Sequence, residues 1–181
     1  MQLHIVLQSL SNRRLSSIFF VVFASLLIGL CGSLAIPLPF TPVPIALRPM
    51  VILGLSSFLG GRGAAFAVLG FLFQAAVGLP VLAGGALSLL GPTGGYCLGY
   101  LAAAYAVGTL SERSKGRTAL QMFAILSLGS FLIYLFGALH LATFVGWDKA
   151  FWLGVAPFLL GDLFKTVVLV QMFRWMRWIQ E

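Results

Sequence analysis

The chain has 181 residues, 60% of them hydrophobic and 8% charged. A soluble domain carries roughly 25% charged residues, so a water-soluble enzyme and a nucleic-acid-binding domain are both excluded. The net charge of +7, from 11 basic and 4 acidic side chains, needs another explanation than an acidic partner.

The length predicts one membrane domain, 1–181, with room for six helices of about 20 residues each. Hydropathy places them in chain order at about 15–35, 47–60, 63–79, 93–110, 119–141 and 151–173. The first run follows Arg13 and Arg14 and ends on Ser33-Leu34-Ala35, which imitates a signal peptide. It is too long for a normal signal core and further spans follow, so it is read as a retained first helix. Each run is read as helix, because lipid offers no partner to unpaired backbone groups. None alternates in the ten-residue manner of a barrel strand. The predicted fold class is therefore an all-α integral membrane protein with six transmembrane helices.

The bases sort by side. With the N-terminus in the cytoplasm, the cytoplasmic face holds Arg13, Arg14, Arg62, Arg113, Lys115, Arg117, Arg174 and Arg177. The external face holds Lys149 and, at the mouth of span two, Arg48. This positive-inside bias puts both termini in the cytoplasm. The external loops 36–46, 80–92 and 142–150 are apolar, and the first two are rich in Pro and Gly. Such loops are expected to fold inward over a ligand or to lie in the interfacial zone.

Three charges remain that topology does not explain. Asp162 and Lys165 lie within span six on one helix face. An ionisable group there costs about 2.5–3.5 kcal/mol on insertion scales. They are read as the polar end of an apolar pocket, with simple mutual pairing as the alternative. Pro157 removes a backbone donor and can open the helix nearby. Arg48 offers a planar fork for an anion, or else reaches to the surface. Gly91-Pro92-Thr93-Gly94-Gly95-Tyr96 opens span four with a turn, a hydroxyl, backbone donors and an aromatic phenol. It is not a phosphate-binding loop, since no Gly-Lys-Ser/Thr follows.

Ser25, Gly29 and Ser33 recur every four residues in span one, a small-residue face for packing within the bundle or on a partner helix. Cys31 and Cys97 read as small core hydrophobes. His4 and His140 are isolated and define no metal site. No catalytic constellation is visible, so no enzyme is expected.

The segments Pro39-Phe40-Thr41-Pro42-Val43-Pro44-Ile45, Gly78-Leu79-Pro80-Val81, Gly91–Tyr96, Pro157-Phe158 and Gly161-Asp162-Leu163-Phe164-Lys165 together resemble the BioY family. That family comprises the biotin-specific substrate-binding subunits of energy-coupling factor transporters. The motifs follow the family's order from about residue 20 to the end. One departure stands out: where the family commonly has Gln, Ala46-Leu47 is followed by Arg48.

The resemblance implies biotin uptake across the cytoplasmic membrane by a multi-pass protein whose external loops form a lid. It implies as partners a transmembrane coupling subunit and two ATPase subunits, docked through Ser25, Gly29 and Ser33. No cofactor is expected, ATP acting only through the partners, and no nucleic acid is bound. The implied ligand residues are Asp162, Lys165, Tyr96, Arg48, Thr93, Gly91, Phe40, Val43, Gly84 and Gly85. Asp162 would accept from a ureido N–H, while Lys165, Tyr96 or a backbone N–H would donate to its carbonyl. The carboxylate would go to Arg48 or to Lys165, and both assignments stay open. A self-sufficient carrier for biotin or another small vitamin-like carboxylate is the alternative.

Overall fold

The computed structural model describes residues 2–33, 35–82, 84–114 and 118–180, and within them the side chains of 16–32, 38–44, 46–82, 84–114 and 118–176. The expectations for Lys115 and Arg117, and for the side chains of His4, Arg13, Arg14, Ser33 and Arg177, concern positions outside the described residues.

Helix α1 runs Gln2–Ser33. Ala24, Ser25, Ile28, Gly29 and Gly32 are buried at helical spacing, while Phe19, Phe23, Leu26 and Leu30 are exposed and apolar. An apolar outer face beside a small-residue inner face is what a lipid-facing helix requires.

The segment predicted as the first external loop is not irregular. Strand β1, Ala35–Leu38, pairs antiparallel with β2, Thr41–Ala46, with Ile36 opposite Ile45 and an irregularity between Ile36 and Leu38. Prolines 37, 39, 42 and 44 made this segment look like a loop. A two-stranded ribbon has only edge strands, and there prolines that donate no hydrogen bond are tolerated.

Helix α2, Arg48–Ala76, contains both predicted spans two and three. Gly60 interrupts it with φ 74° and ψ 172°, a conformation that favours glycine. The Arg48 guanidinium lies 5.0 Å from the Phe71 ring centroid, so the arms 48–59 and 61–76 return beside each other. The Gly61 N–H donates to Glu112 Oε2 at 3.3 Å, which pins the reversal to the end of the next helix. A Cβ on Gly108 would stand 2.5 Å from the Gly60 carbonyl carbon, so close backbone approach sets this contact.

A loop carrying a 3-10 turn at Ala86–Leu89 leads to α3, Gly94–Arg113. Helix α4, Ala119–Val145, begins in a capping box in which Thr118 and Gln121 satisfy each other's backbone N–H. The predicted loop 142–150 is mostly helical: α4 continues to Val145, turns at Gly146 (φ 83°), and α5, Trp147–Gly154, follows at once. Span six is broken. Helix α6, Leu159–Gln180, is bent 44° from α5 across the segment that holds Pro157.

Among the described residues there are six α-helices. Arg48–Ala76 and Ala119–Val145 are each long and apolar enough to cross a membrane, and the α5–α6 pair makes a third candidate. Length alone misreads α2, whose reversal makes it two antiparallel segments. The arms of α2 pack against α3, and α3 against α4, around Ile52, Leu53, Phe71, Val107, Leu126 and Ile133.

Candidate ligand-binding site

Arg48 is the first residue of α2, and its side chain turns inward instead of reaching to the surface. It is 6% exposed. Nη2 donates to the Val81 carbonyl at 2.8 Å. The guanidinium faces Phe71 at 5.0 Å and Tyr100 at 6.0 Å, and it lies so close over Gly32 that no Cβ fits there. Nε has no hydrogen-bond partner among the described residues. Ring faces stabilise a cation by about 0.5–2 kcal/mol each, well short of the several kcal/mol that desolvating it costs.

Beside Arg48 is a cavity of about 40 Å³, lined by Val43, Pro44, Ala46, Arg48, Leu82, Thr93, Tyr96, Cys97 and Tyr100. The hairpin, the loop after α2 and the start of α3 thus converge, and they bring together the predicted residues Val43, Arg48, Thr93 and Tyr96. A space of this size holds only a few atoms, where pockets for whole ligands run from about 300 Å³.

Asp162 and Lys165 form a second cluster. Lys165 Nζ is 2.6 Å from Asp162 Oδ1, and both side chains are largely buried. The Tyr134 hydroxyl donates to Asp162 Oδ2 at 2.5 Å, and Lys165 Nζ donates to the Ala46 carbonyl at 3.0 Å. Tyr134, Asp162 and Thr166 line a groove of about 450 Å³ between α4 and α5–α6, with Phe131, Leu135, Phe151, Leu159 and Leu163 as apolar wall. The two clusters thus open onto different spaces. They meet at Ala46, which lines the small cavity and takes the Lys165 ammonium.

The remaining predicted residues take other places. Phe40, at the hairpin tip, is 60% exposed and lines neither space. Gly84 and Gly85 have φ of 91° and 71° and serve the turn into the 3-10 segment, while Leu82 supplies that loop's contact with the cavity. The Gly91 carbonyl lies 3.1 Å from His140 Nε2. Thr93 Oγ1 donates to Ser88 O at 3.2 Å and the Tyr96 hydroxyl to Gly154 O at 2.7 Å. Ser25 and Gly29 point into the chain: Ser25 Oγ accepts from Gln74 Nε2 at 2.5 Å, and a Cβ on Gly29 would stand 2.9 Å from both Gln74 and Val81. Of the two alternatives, packing within the bundle describes Ser25 and Gly29, which meet Gln74 of the second α2 arm and Val81 of the loop that follows.

Three residues escaped the sequence reading. Tyr134 holds Asp162, Tyr100 faces Arg48, and His140 braces the Gly91 turn rather than standing alone. Tyr134 left a usable signal, since a phenol in an apolar span needs a partner.

Two of the segments predicted to be external also tie to one another. Thr41 Oγ1 donates to the Leu153 carbonyl at 2.5 Å, joining the hairpin to α5. Together these features define a helical membrane protein in which the hairpin is tied to α5 and to Lys165, and the loop after α2 to Arg48.

The BioY family model matches residues 6–180. The chain is 36% identical over 159 residues to the biotin transporter BioY of Rhizobium etli, covering 81% of this chain and 84% of that one. It is 31% identical over 184 residues to the biotin transporter BioY of Lactococcus lactis, covering 92% and 93%. The crystal structure of the S-component for biotin from an ECF-type ABC transporter matches with a TM-score of 0.80 at 29% identity, over 92% of this chain and 93% of that one. The chain belongs to the BioY family.

Proposed function

We propose that this chain binds biotin and is the substrate-specific subunit for its uptake across the cytoplasmic membrane. The carrying observation is the Tyr134–Asp162–Lys165 cluster, a carboxylate with a phenol and an ammonium in contact, whose Tyr134 and Asp162 line an apolar groove. A ureido ring presents two N–H donors and one carbonyl. Asp162 accepts from an N–H, and Lys165 or Tyr134 donates to the carbonyl. The alkyl chain and thioether ring need the apolar lining that surrounds the cluster.

Transport, not catalysis, follows from this reading. The whole of 1–181 acts as one membrane domain with both termini in the cytoplasm. No cofactor takes part. ATP acts through a coupling subunit and two ATPase subunits that join this chain in the bilayer. The 2.8 Å and 3.0 Å bonds from Arg48 to the Val81 carbonyl and from Lys165 to the Ala46 carbonyl of β2 hold the outer segments closed, and ligand entry exchanges some of these bonds for its own.

Accumulation of labelled biotin tests the proposal, in cells without biotin uptake that express the chain together with a coupling module. The expected result is uptake well above cells carrying the module alone. Absence of uptake with the chain present in the membrane would contradict it.

A further inference from the structure

We infer that Arg48 selects for a ligand with a negatively charged end, and that the Asp162–Lys165 pair serves the uncharged polar head. This rests on the biotin reading of the site. The two cations differ in what they lack. Lys165 carries its counter-ion at 2.6 Å, and a loop carbonyl at 3.0 Å takes another of its donors. A carboxylate arriving there meets Asp162, and like charges repel it.

No carboxylate among the described residues pairs with Arg48. It is 94% removed from solvent by its 6% exposure, and its Nε–H is unsatisfied beside the cavity. An enclosed, uncompensated cation next to a space of a few atoms is a receptor for a small anionic group. Nη2 carries two hydrogens. It can keep one on Val81 while Nε–H and the other hold a carboxylate side-on. The anion then fastens the loop after α2 to the cavity instead of displacing it. Thr93 and Tyr96 add hydroxyl-bearing walls, and Tyr100 an aromatic one.

Equilibrium binding of biotin and of biotin amide to the purified chain at pH 7 tests this. The native protein should bind the amide about 100-fold more weakly, as expected for a buried charged contact. In Arg48→Gln the acid should lose about the same factor and the amide little, so that the gap shrinks below about threefold. Arg48→Lys should fall between, keeping charge but losing the fork. In Asp162→Asn, acid and amide should weaken together and the gap persist. Equal affinity for acid and amide in the native protein overturns the inference, with no variant needed. So does a parallel loss of both ligands in Arg48→Gln. Failure of the native chain to bind either compound overturns the biotin reading and this inference with it.

Discussion

The head of α2 and the start of α6 each bring a cation into apolar surroundings, and they satisfy it differently. Lys165 has a carboxylate, a carbonyl and, through Asp162, a phenol. Arg48 has one carbonyl, two ring faces and a donor without a partner. The first cluster is complete in itself and offers hydrogen bonds without net charge. The second keeps its attraction for an anion in reserve. A ligand with a neutral polar head and a charged tail suits such a division.

The largest effect should come from breaking the complete cluster. Asp162→Ala strands Lys165, and loss of one partner of a buried pair costs about 3–5 kcal/mol. Thermal unfolding should show that loss, and biotin binding should vanish. Replacing both residues, Asp162→Leu with Lys165→Met, should recover most of the stability, because apolar substitution of a whole buried pair is often neutral. It should not recover binding. Recovery of both would mean the pair is structural only.

Gly29→Leu comes next. Its side chain would press on Gln74 and Val81, an overpacking that costs about 1–3 kcal/mol. Val81 is also the anchor of Arg48, so binding and uptake should fall together. Loss of uptake with native binding would return this helix face to a partner.

Gly32→Ala sharpens the comparison from the other side. The new methyl displaces the Arg48 guanidinium, so biotin affinity should fall about tenfold, some 1.4 kcal/mol. The Asp162 cluster should be untouched, and biotin amide should bind almost as before. The smallest effect is Tyr134→Phe, which removes one hydrogen bond while Asp162 keeps its Lys165 partner, a net loss of about 1 kcal/mol. Both ligands should weaken equally.

The helical segments were legible because each is a long apolar run, and the lone charges were legible because the bilayer makes them costly. Asp162 and Lys165 share a face by spacing alone, and the structure pairs them. Other features depend on contacts between distant segments. The hairpin hid behind four prolines that read as loop signals. Gly60 ends an apolar run in the sequence, but its closeness to Gly108 joins residues 48 positions apart. Tyr134 meets Asp162 across 28 positions and Lys165 meets Ala46 across 119, and no local pattern encodes either. The face of Ser25 and Gly29 was legible as a packing surface, yet spacing does not say which helix fills it. The second arm of α2 does so through Gln74, and Val81 of the following loop adds to it.

The most direct test is equilibrium binding of labelled biotin to the purified chain, with desthiobiotin, thiamine and riboflavin as competitors. Biotin should bind saturably, displaced by desthiobiotin and not by the other two. No saturable binding by folded protein, or equal displacement by thiamine or riboflavin, would contradict it.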